Sequence, residues 1–178
     1  LSSQTPLYYG SKAGKDTVVK FLLEKGAVIN DEVLQDTYNN GHIKLVKLLC
    51  ENIGNNDLQD EIGCTALQRF LNNDRLEVAK HLMTNGADPN ITDCDKQTPL
   101  HHAAQGGHFS SCQYFIEKAT LKNPEDKYNN TPLHYAACYG HLQVCKLIID
   151  NIEDISSRGS FGYTPLFMAF KNFNFAVC

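Results

Sequence analysis

The sequence lacks two features that would point to a membrane or a nucleic acid. It has no apolar run approaching the roughly 20 residues needed to cross a bilayer. It also has no excess of positive charge, because 16 lysines and arginines stand against 20 aspartates and glutamates, for a net charge of −4 at pH 7. Nucleic-acid binding usually requires a basic face. We therefore expect no direct membrane insertion of this segment and no nucleic-acid partner.

Signs of secretion are also missing. The first ten residues, LSSQTPLYYG, do not have the basic and then apolar layout of a secretory signal. The seven cysteines are an odd number, and no two of them form a C-x-x-C pair. Unpaired, reduced cysteines are typical of the cytosol. The expected location is the cytoplasm, or the cytosolic portion of a membrane-associated protein.

The signatures of common catalytic sites do not occur. The sequence contains no Walker A phosphate loop, no dinucleotide-binding glycine fingerprint, no H-E-x-x-H and no G-x-S-x-G. Carboxylate pairs such as Asp93 and Asp95 lie in polar turn segments, where solvated carboxylates are common. We therefore predict no catalytic residue and no cofactor, and the protein is not expected to be an enzyme.

What the sequence does contain is a repeat. TPLHHAAQGGH starts at Thr98, and TPLHYAACYGH starts 33 residues later at Thr131. The leucine of this motif recurs along the chain at a spacing of 33 residues, with one shorter step of 27 residues at the beginning. The short step predicts that the first inter-repeat loop is stunted or missing. The aligned leucines are Leu7, Leu34, Leu67, Leu100, Leu133 and Leu166.

Each repeat predicts two short helices. Thr98 suits a helix N-cap and Pro99 the first helical position, while Gly107 suits the left-handed residue that ends the helix. A second helix follows, with apolar residues at i, i+3 and i+4. Its predicted buried faces include Val18, Phe21 and Leu22 in the first repeat and Cys112, Phe115 and Ile116 in the fourth.

The repeat length and the T-P-L-H-x-A opening resemble those of the ankyrin-repeat family. The resemblance implies an all-α solenoid of stacked helix-turn-helix units with β-hairpin-like fingers. It covers essentially the whole chain, so we expect a single domain over 1–178, with about six repeats, the last one truncated. We also expect the chain to be a fragment of a longer protein. The repeats are expected near 5–30, 32–56, 65–90, 98–123, 131–156 and 164–178.

The resemblance also implies a function. Ankyrin repeats usually bind other proteins on a concave surface lined by finger tips and first helices, without catalysis. Exposed aromatic side chains there are typical interface anchors. The alternative is a regulatory ankyrin region of a larger enzyme or ion channel that contacts its own chain. The partner-binding residues predicted on this basis are Glu61, Ile62, Asp95, Gln97, Gln105, Lys127, Tyr128, Tyr139, Phe161 and Tyr163.

The histidines of the motif suggest a metal site at first sight. Metal ligands must converge on one point, however, and repeat-equivalent residues are a whole repeat apart. We therefore expect no metal site. The resemblance implies structural roles instead: bonds near the helix start that tie adjacent repeats for His101 and His134, and similar bonds at the turn for His42, His108 and His141.

Two further expectations concern single residues. Cys64 and Cys94 lie in fingers, so their thiols are expected to be exposed. Asn30 and Asn90 end the GAxxN loops, where asparagine can be hydroxylated in animal ankyrin domains. The resemblance therefore marks Asn30 and Asn90 as possible hydroxylation sites, although a side chain bonded to the turn backbone also explains them.

Overall fold

The computed structural model describes residues 5–52, 57, 59–60, 62–174 and 176–177. Within these residues it contains eleven α-helices and no β-strand. The helices form pairs, each made of a first and a second helix. The first helices are α1 (Pro6–Lys12), α3 (Asp31–Asn39), α5 (Ala66–Asn72), α7 (Pro99–Gly106), α9 (Pro132–Cys138) and α11 (Pro165–Lys171). The second helices are α2 (Asp16–Glu24), α4 (Ile43–Asn52), α6 (Leu76–Thr84), α8 (Phe109–Lys118) and α10 (Leu142–Ile149).

The pairs stack side by side, so the protein is an all-α solenoid. Each first helix from α1 to α9 packs against its own second helix and against the first helix of the next pair, with the smallest contact between α3 and α5. The aligned leucines from Leu7 to Leu133 are at most 3% exposed and belong to one continuous core. Leu166 is 57% exposed, since α9 is the only helix in the described part of the chain that packs extensively on α11.

The helices begin as the sequence predicts. Thr65, Thr98 and Thr131 have extended backbone just before α5, α7 and α9, as an N-cap requires. Asn30 takes this position before α3, where its Oδ1 accepts a hydrogen bond from the Val33 amide at 3.0 Å. The chain therefore passes from α2 to α3 without a finger, as the 27-residue step predicts.

The turn inside each pair needs a left-handed residue. Gly107 supplies it with φ 73°, and Asp74 adopts φ 57° at the equivalent position. A left-handed conformation costs a non-glycine residue about 1–2 kcal/mol, somewhat less for aspartate. Asp74 therefore keeps the geometry of the turn at a cost in stability.

The fingers are less regular than β-hairpins. Their tight turns are each closed by two backbone bonds; in one of them, Asp93 N–H donates to Gln97 O at 3.1 Å and Lys96 N–H donates to Asp93 O at 2.9 Å. The described residues contain one isolated bridge, between Gln59 and Thr65, and no extended ladder. Each finger is therefore a compact loop whose tip projects from the helix stack.

The predicted buried face was right for α8, but in α2 it was wrong for Val18 and Phe21 and right only for Leu22, which packs against the core. Cys112, Phe115 and Ile116 are at most 3% exposed. In α2, however, Val18 and Phe21 are 47% and 56% exposed, and Val19 is fully buried. The run VVKFLL supports two i, i+3, i+4 stripes one residue apart, and only packing against α1 selects the one that contains Val19.

Candidate partner-binding surface and the contacts that shape it

A buried histidine joins α7 to the next finger. His101 Nδ1 accepts a hydrogen bond from the Thr98 amide at 3.0 Å, and Nε2 lies 3.1 Å from the Asn130 carbonyl oxygen. Because an amide N–H only donates and a carbonyl only accepts, the ring proton is on Nε2. Burial lowers the pKa of His101 to about 4, so the ring is neutral at neutral pH.

The same arrangement recurs on both sides of His101. His134 Nδ1 accepts from the Thr131 amide at 3.0 Å, and Nε2 donates to the Tyr163 carbonyl at 3.0 Å. Gln68 does this between α5 and the following finger: its Oε1 accepts from the Thr65 amide at 2.7 Å, and its Nε2 donates to the Gln97 carbonyl at 2.8 Å. The expected roles of His101 and His134 are confirmed. Sequence reasoning missed Gln68, although T-x-x-Q is a known capping-box pattern.

The second set of histidines also joins neighbouring pairs. Nε2 of His42, His108 and His141 lies 3.2, 3.1 and 3.0 Å from a backbone carbonyl oxygen of the preceding pair. The acceptors lie in the last turn of the preceding first helix. These bonds confirm the structural role expected for the three histidines.

An aspartate organises each of three successive fingers. Oδ1 of Asp60, Asp93 and Asp126 accepts two backbone N–H bonds within its own finger. Oδ2 contacts a side chain of the following first helix: Arg69, His102 and Tyr135, respectively. Sequence reasoning missed this role, although the 33-residue spacing of the three aspartates was a usable signal.

Cys64 is only 3% exposed, so the prediction that it is accessible was wrong. It lies at the base of its finger rather than at the tip, and its Sγ is 3.8 Å from Asp93 Oδ2. Burial raises the pKa of the thiol to about 11. The exposure expected for Cys94 is confirmed.

Cys64, Asp93 and His102 form a cluster of potential metal ligands. Each contributes one metal-binding atom, and the three atoms lie within 4.8 Å of one another.

Several predicted partner-binding residues are engaged within the stack. Asp95 and Lys127 form an ion pair between neighbouring fingers, and this pair raises the pKa of Lys127. Gln97 Nε2 donates to the Tyr135 hydroxyl at 2.6 Å, and Gln105 Nε2 donates to the Tyr139 hydroxyl at 3.2 Å. These contacts show that four of the predicted residues join adjacent units of the stack: Asp95, Gln97, Gln105 and Lys127.

Four members of the predicted set present large apolar or aromatic side chains to solvent. Phe161 is 90% exposed, and Ile62, Tyr139 and Tyr128 are 56%, 53% and 50% exposed. Tyr128 and Phe161 come from successive fingers and share one open groove of about 620 Å³. The groove is lined by Tyr128, Asn129, Gly159, Ser160, Phe161 and Gly162.

Tyr163 extends this aromatic cluster towards α11. Its ring centroid is 5.8 Å from that of Phe161 and 4.5 Å from that of Phe167, and Lys171 Nζ lies 4.9 Å from the Tyr163 ring. Tyr139 and Ile62 lie on other parts of the stack. Glu61, the remaining predicted residue, lies outside the described residues.

The two asparagines considered for hydroxylation are both exposed and both bonded to backbone or neighbouring side chains. Asn30 caps α3, as described above. Asn90 Oδ1 accepts a hydrogen bond from the Thr120 hydroxyl at 2.9 Å, which joins two successive loops. Hydroxylation of either residue stays a prediction.

Stacked two-helix units with tight fingers define a helical-repeat protein. The ankyrin-repeat family profile in its three-copy form matches residues 69–159 and 120–178, and the single-repeat profile matches residues 3–32. The chain therefore belongs to the ankyrin-repeat family, whose members are generally non-catalytic modules for protein–protein interaction. A comparison with curated proteins gave no match. None of the described helices is long and apolar enough to span a bilayer.

Proposed function

We propose that this domain is a non-catalytic scaffold that binds a protein partner on its concave side, with the Tyr128–Phe161 groove as the main anchor point. The observation that carries the proposal is the exposure of Phe161, which presents nearly its whole ring to solvent at the lip of an open groove. An exposed phenylalanine contributes nothing to the core, whereas desolvating it against a partner is favourable.

The rigidity of the surrounding fingers supports this proposal. The Tyr128 finger is held by Asp126 Oδ1, which accepts from the Tyr128 and Asn130 amides at 2.8 Å each. The Phe161 finger is held by Asn130, whose Oδ1 accepts from the Ser160 amide at 3.0 Å. A partner that inserts an apolar side chain between the two fingers meets a surface that is already ordered, which limits the entropy cost of association.

The test compares partner capture by two variants of the intact chain. Tyr128→Ala/Phe161→Ala removes both walls of the groove, and Phe109→Ala/Phe21→Ala removes two exposed phenylalanines from second helices. We expect the groove variant to lose a defined partner, quantified by mass spectrometry, with little change in Tm. The second-helix variant should retain that partner.

Equal capture by the two variants would contradict the proposal. If the partner that the groove recruits is a segment of the same longer chain, the domain is instead a regulatory ankyrin region. Binding of that segment as a separate peptide would distinguish this outcome from recognition of another protein.

A further inference from the structure

The junction between the α5–α6 and α7–α8 pairs brings together three side chains of metal-binding type. Cys64 precedes α5, Asp93 starts the next finger, and His102 lies on α7. His102 Nε2 is 3.0 Å from Asp93 Oδ2, and Cys64 Sγ is 3.8 Å from the same oxygen. The cysteine is buried, and the side chains of His102 and Asp93 are 12% and 7% exposed.

These two separations are close to those between the ligand atoms of a zinc ion. With Zn–N and Zn–O bonds of about 2.0–2.2 Å and a Zn–S bond of about 2.3 Å, tetrahedral ligand atoms lie about 3.4–3.6 Å apart. The observed separations of 3.0 and 3.8 Å lie on either side of that range, and all three atoms fall within 4.8 Å of one another. Side-chain shifts that bring Cys64 Sγ and His102 Nε2 to about 3.5 Å from each other would complete the arrangement.

The next junction shows what these three positions do without metal-binding residues. Thirty-three residues further along, Cys64, Asp93 and His102 are replaced by Gln97, Asp126 and Tyr135. There Gln97 Nε2 donates to the Tyr135 hydroxyl at 2.6 Å, and that hydroxyl donates to Asp126 Oδ2 at 2.7 Å. Hydrogen bonds between these side chains therefore satisfy their polar groups at that junction. Stacking of the helix pairs does not require a cysteine and a histidine at these positions.

The charges also suit a divalent ion. The thiolate and the carboxylate each carry one negative charge, and together they balance the two positive charges of Zn²⁺. Because the imidazole is neutral, the complex has no net charge, which suits a largely buried site. Binding releases the thiol proton of Cys64 to solvent and moves the His102 proton to Nδ1. The nearby guanidinium of Arg69 is paired with Asp60, which offsets its positive charge.

We propose that Cys64 Sγ, Asp93 Oδ2 and His102 Nε2 form a Zn²⁺ site that joins these two helix pairs. Three protein ligands leave the fourth tetrahedral position for water or for a donor atom from a partner. The ion would link three segments that are distant in sequence and stabilise the stack against separation at this junction. Such a site goes beyond the proposed scaffold function and does not depend on it.

The test is metal titration of the intact, metal-free chain under reducing conditions. We expect one equivalent of Zn²⁺ to bind in competition with a chromophoric chelator and to raise Tm. Co²⁺ in its place should give a thiolate charge-transfer band together with the intense visible bands of a tetrahedral centre. Cys64→Ser and His102→Gln should each weaken Zn²⁺ binding by about 100-fold or more.

Two variants keep the test independent of folding. Cys64→Gln/His102→Tyr copies the residues of the neighbouring junction, so it should fold, verified by circular dichroism, and lose the Zn²⁺ site. Cys94→Ser removes the exposed thiol next to Asp93 and should keep it. Tight Zn²⁺ binding that survives Cys64→Gln/His102→Tyr, or no Zn²⁺ binding by the unaltered chain, would overturn the proposal.

A gain-of-site variant sharpens the result. Gln97→Cys/Tyr135→His places the same residue types around Asp126. If the geometry of the junction is what creates the site, this variant should bind a second equivalent of Zn²⁺ with a second thiolate–Co²⁺ band. A folded variant that still binds only one equivalent would count against the proposal.

Discussion

The two ends of the stack are held together in different ways. Between the α1–α2 and α3–α4 pairs there is no finger, and the position equivalent to His101 is Tyr8. The Tyr8 hydroxyl donates to Asp36 Oδ2 at 2.7 Å, and Lys12 Nζ is 3.2 Å from the same oxygen. From α5 onward, Gln68, His101 and His134 instead reach from buried positions to backbone carbonyls of the next finger.

The difference lies in solvent access and in the kind of acceptor. The side chains of Lys12 and Asp36 are 47% and 30% exposed, so water competes for their interaction and salt screens it. His101 is fully buried and bonds to backbone, where a lost bond leaves unsatisfied polar groups away from water. We therefore expect the stack from α5 to α10 to be more stable at neutral pH than α1–α4.

The largest expected effect comes from His101→Ala. It removes the ring that caps α7 and bonds the next finger, leaving a cavity and unpaired backbone groups, and should lower the free energy of unfolding by about 3 kcal/mol. Denaturant unfolding measures the change. His101→Gln is the matched control, because Gln68 makes the same two bonds at the equivalent position. Similar losses for alanine and glutamine would mean that these bonds are not what holds the junction.

Acid should weaken the two regions over different pH ranges. An unfolded histidine titrates near 6.5, whereas burial lowers the pKa of His101 to about 4 and lowers those of His102 and His134 as well. The unfolded state then binds more protons, so the contribution of His101 is fully present above about pH 6.5 and is lost as the pH falls towards about 4.

Asp36 loses its contribution in the same direction, but over a lower pH range. The Tyr8 hydrogen bond lowers its pKa from 3.8, so its contribution persists above that value and is lost only as the pH falls further. Hydrogen exchange at about pH 7 and about pH 5 should show loss of protection in α7–α9 and little change in α1–α3. His101→Gln/His134→Gln should largely abolish the loss. Equal loss of protection in α1–α3 and α7–α9 would contradict the prediction that the two regions weaken over different pH ranges.

The smallest of the three effects is expected from Tyr8→Phe. It deletes the hydroxyl donor to Asp36, but Lys12 remains beside that carboxylate, so the free energy of unfolding should fall by about 1 kcal/mol. Tyr114→Phe on α8 controls for loss of a tyrosine hydroxyl elsewhere. A cost as large as that of His101→Ala would show that the amino-terminal junction is as strong as the later ones.

Much of the fold was predictable because its signals are local. A threonine cap, a proline at the first helical position and a glycine at the turn act within a few residues, so α7 and α9 were recognisable before the structure. The face of α2 was not, since the run that contains Val18 and Val19 supports two helical stripes. Cys64 was misjudged for a related reason: assigning it to a finger did not reveal whether it was at the tip or the base.

The candidate sites divide in the same way. Tyr128 and Phe161 could be selected as aromatic residues at finger positions, but their common groove depends on how two fingers lie against each other. The expectation of no metal site considered only histidines, which recur at equivalent positions of successive repeats. Cys64, Asp93 and His102 occupy three different positions, and their convergence follows from the offset between stacked units.

Sequence alone determined the class of architecture, because a 33-residue period with helix-start signals at each step leaves little choice other than stacked helix pairs. Tertiary structure decided which side chains of neighbouring units meet. Caps and turns are set by hydrogen bonds within a few residues, whereas contacts between residues about 30 positions apart depend on the rotation and offset of one unit on the next, which no short segment encodes.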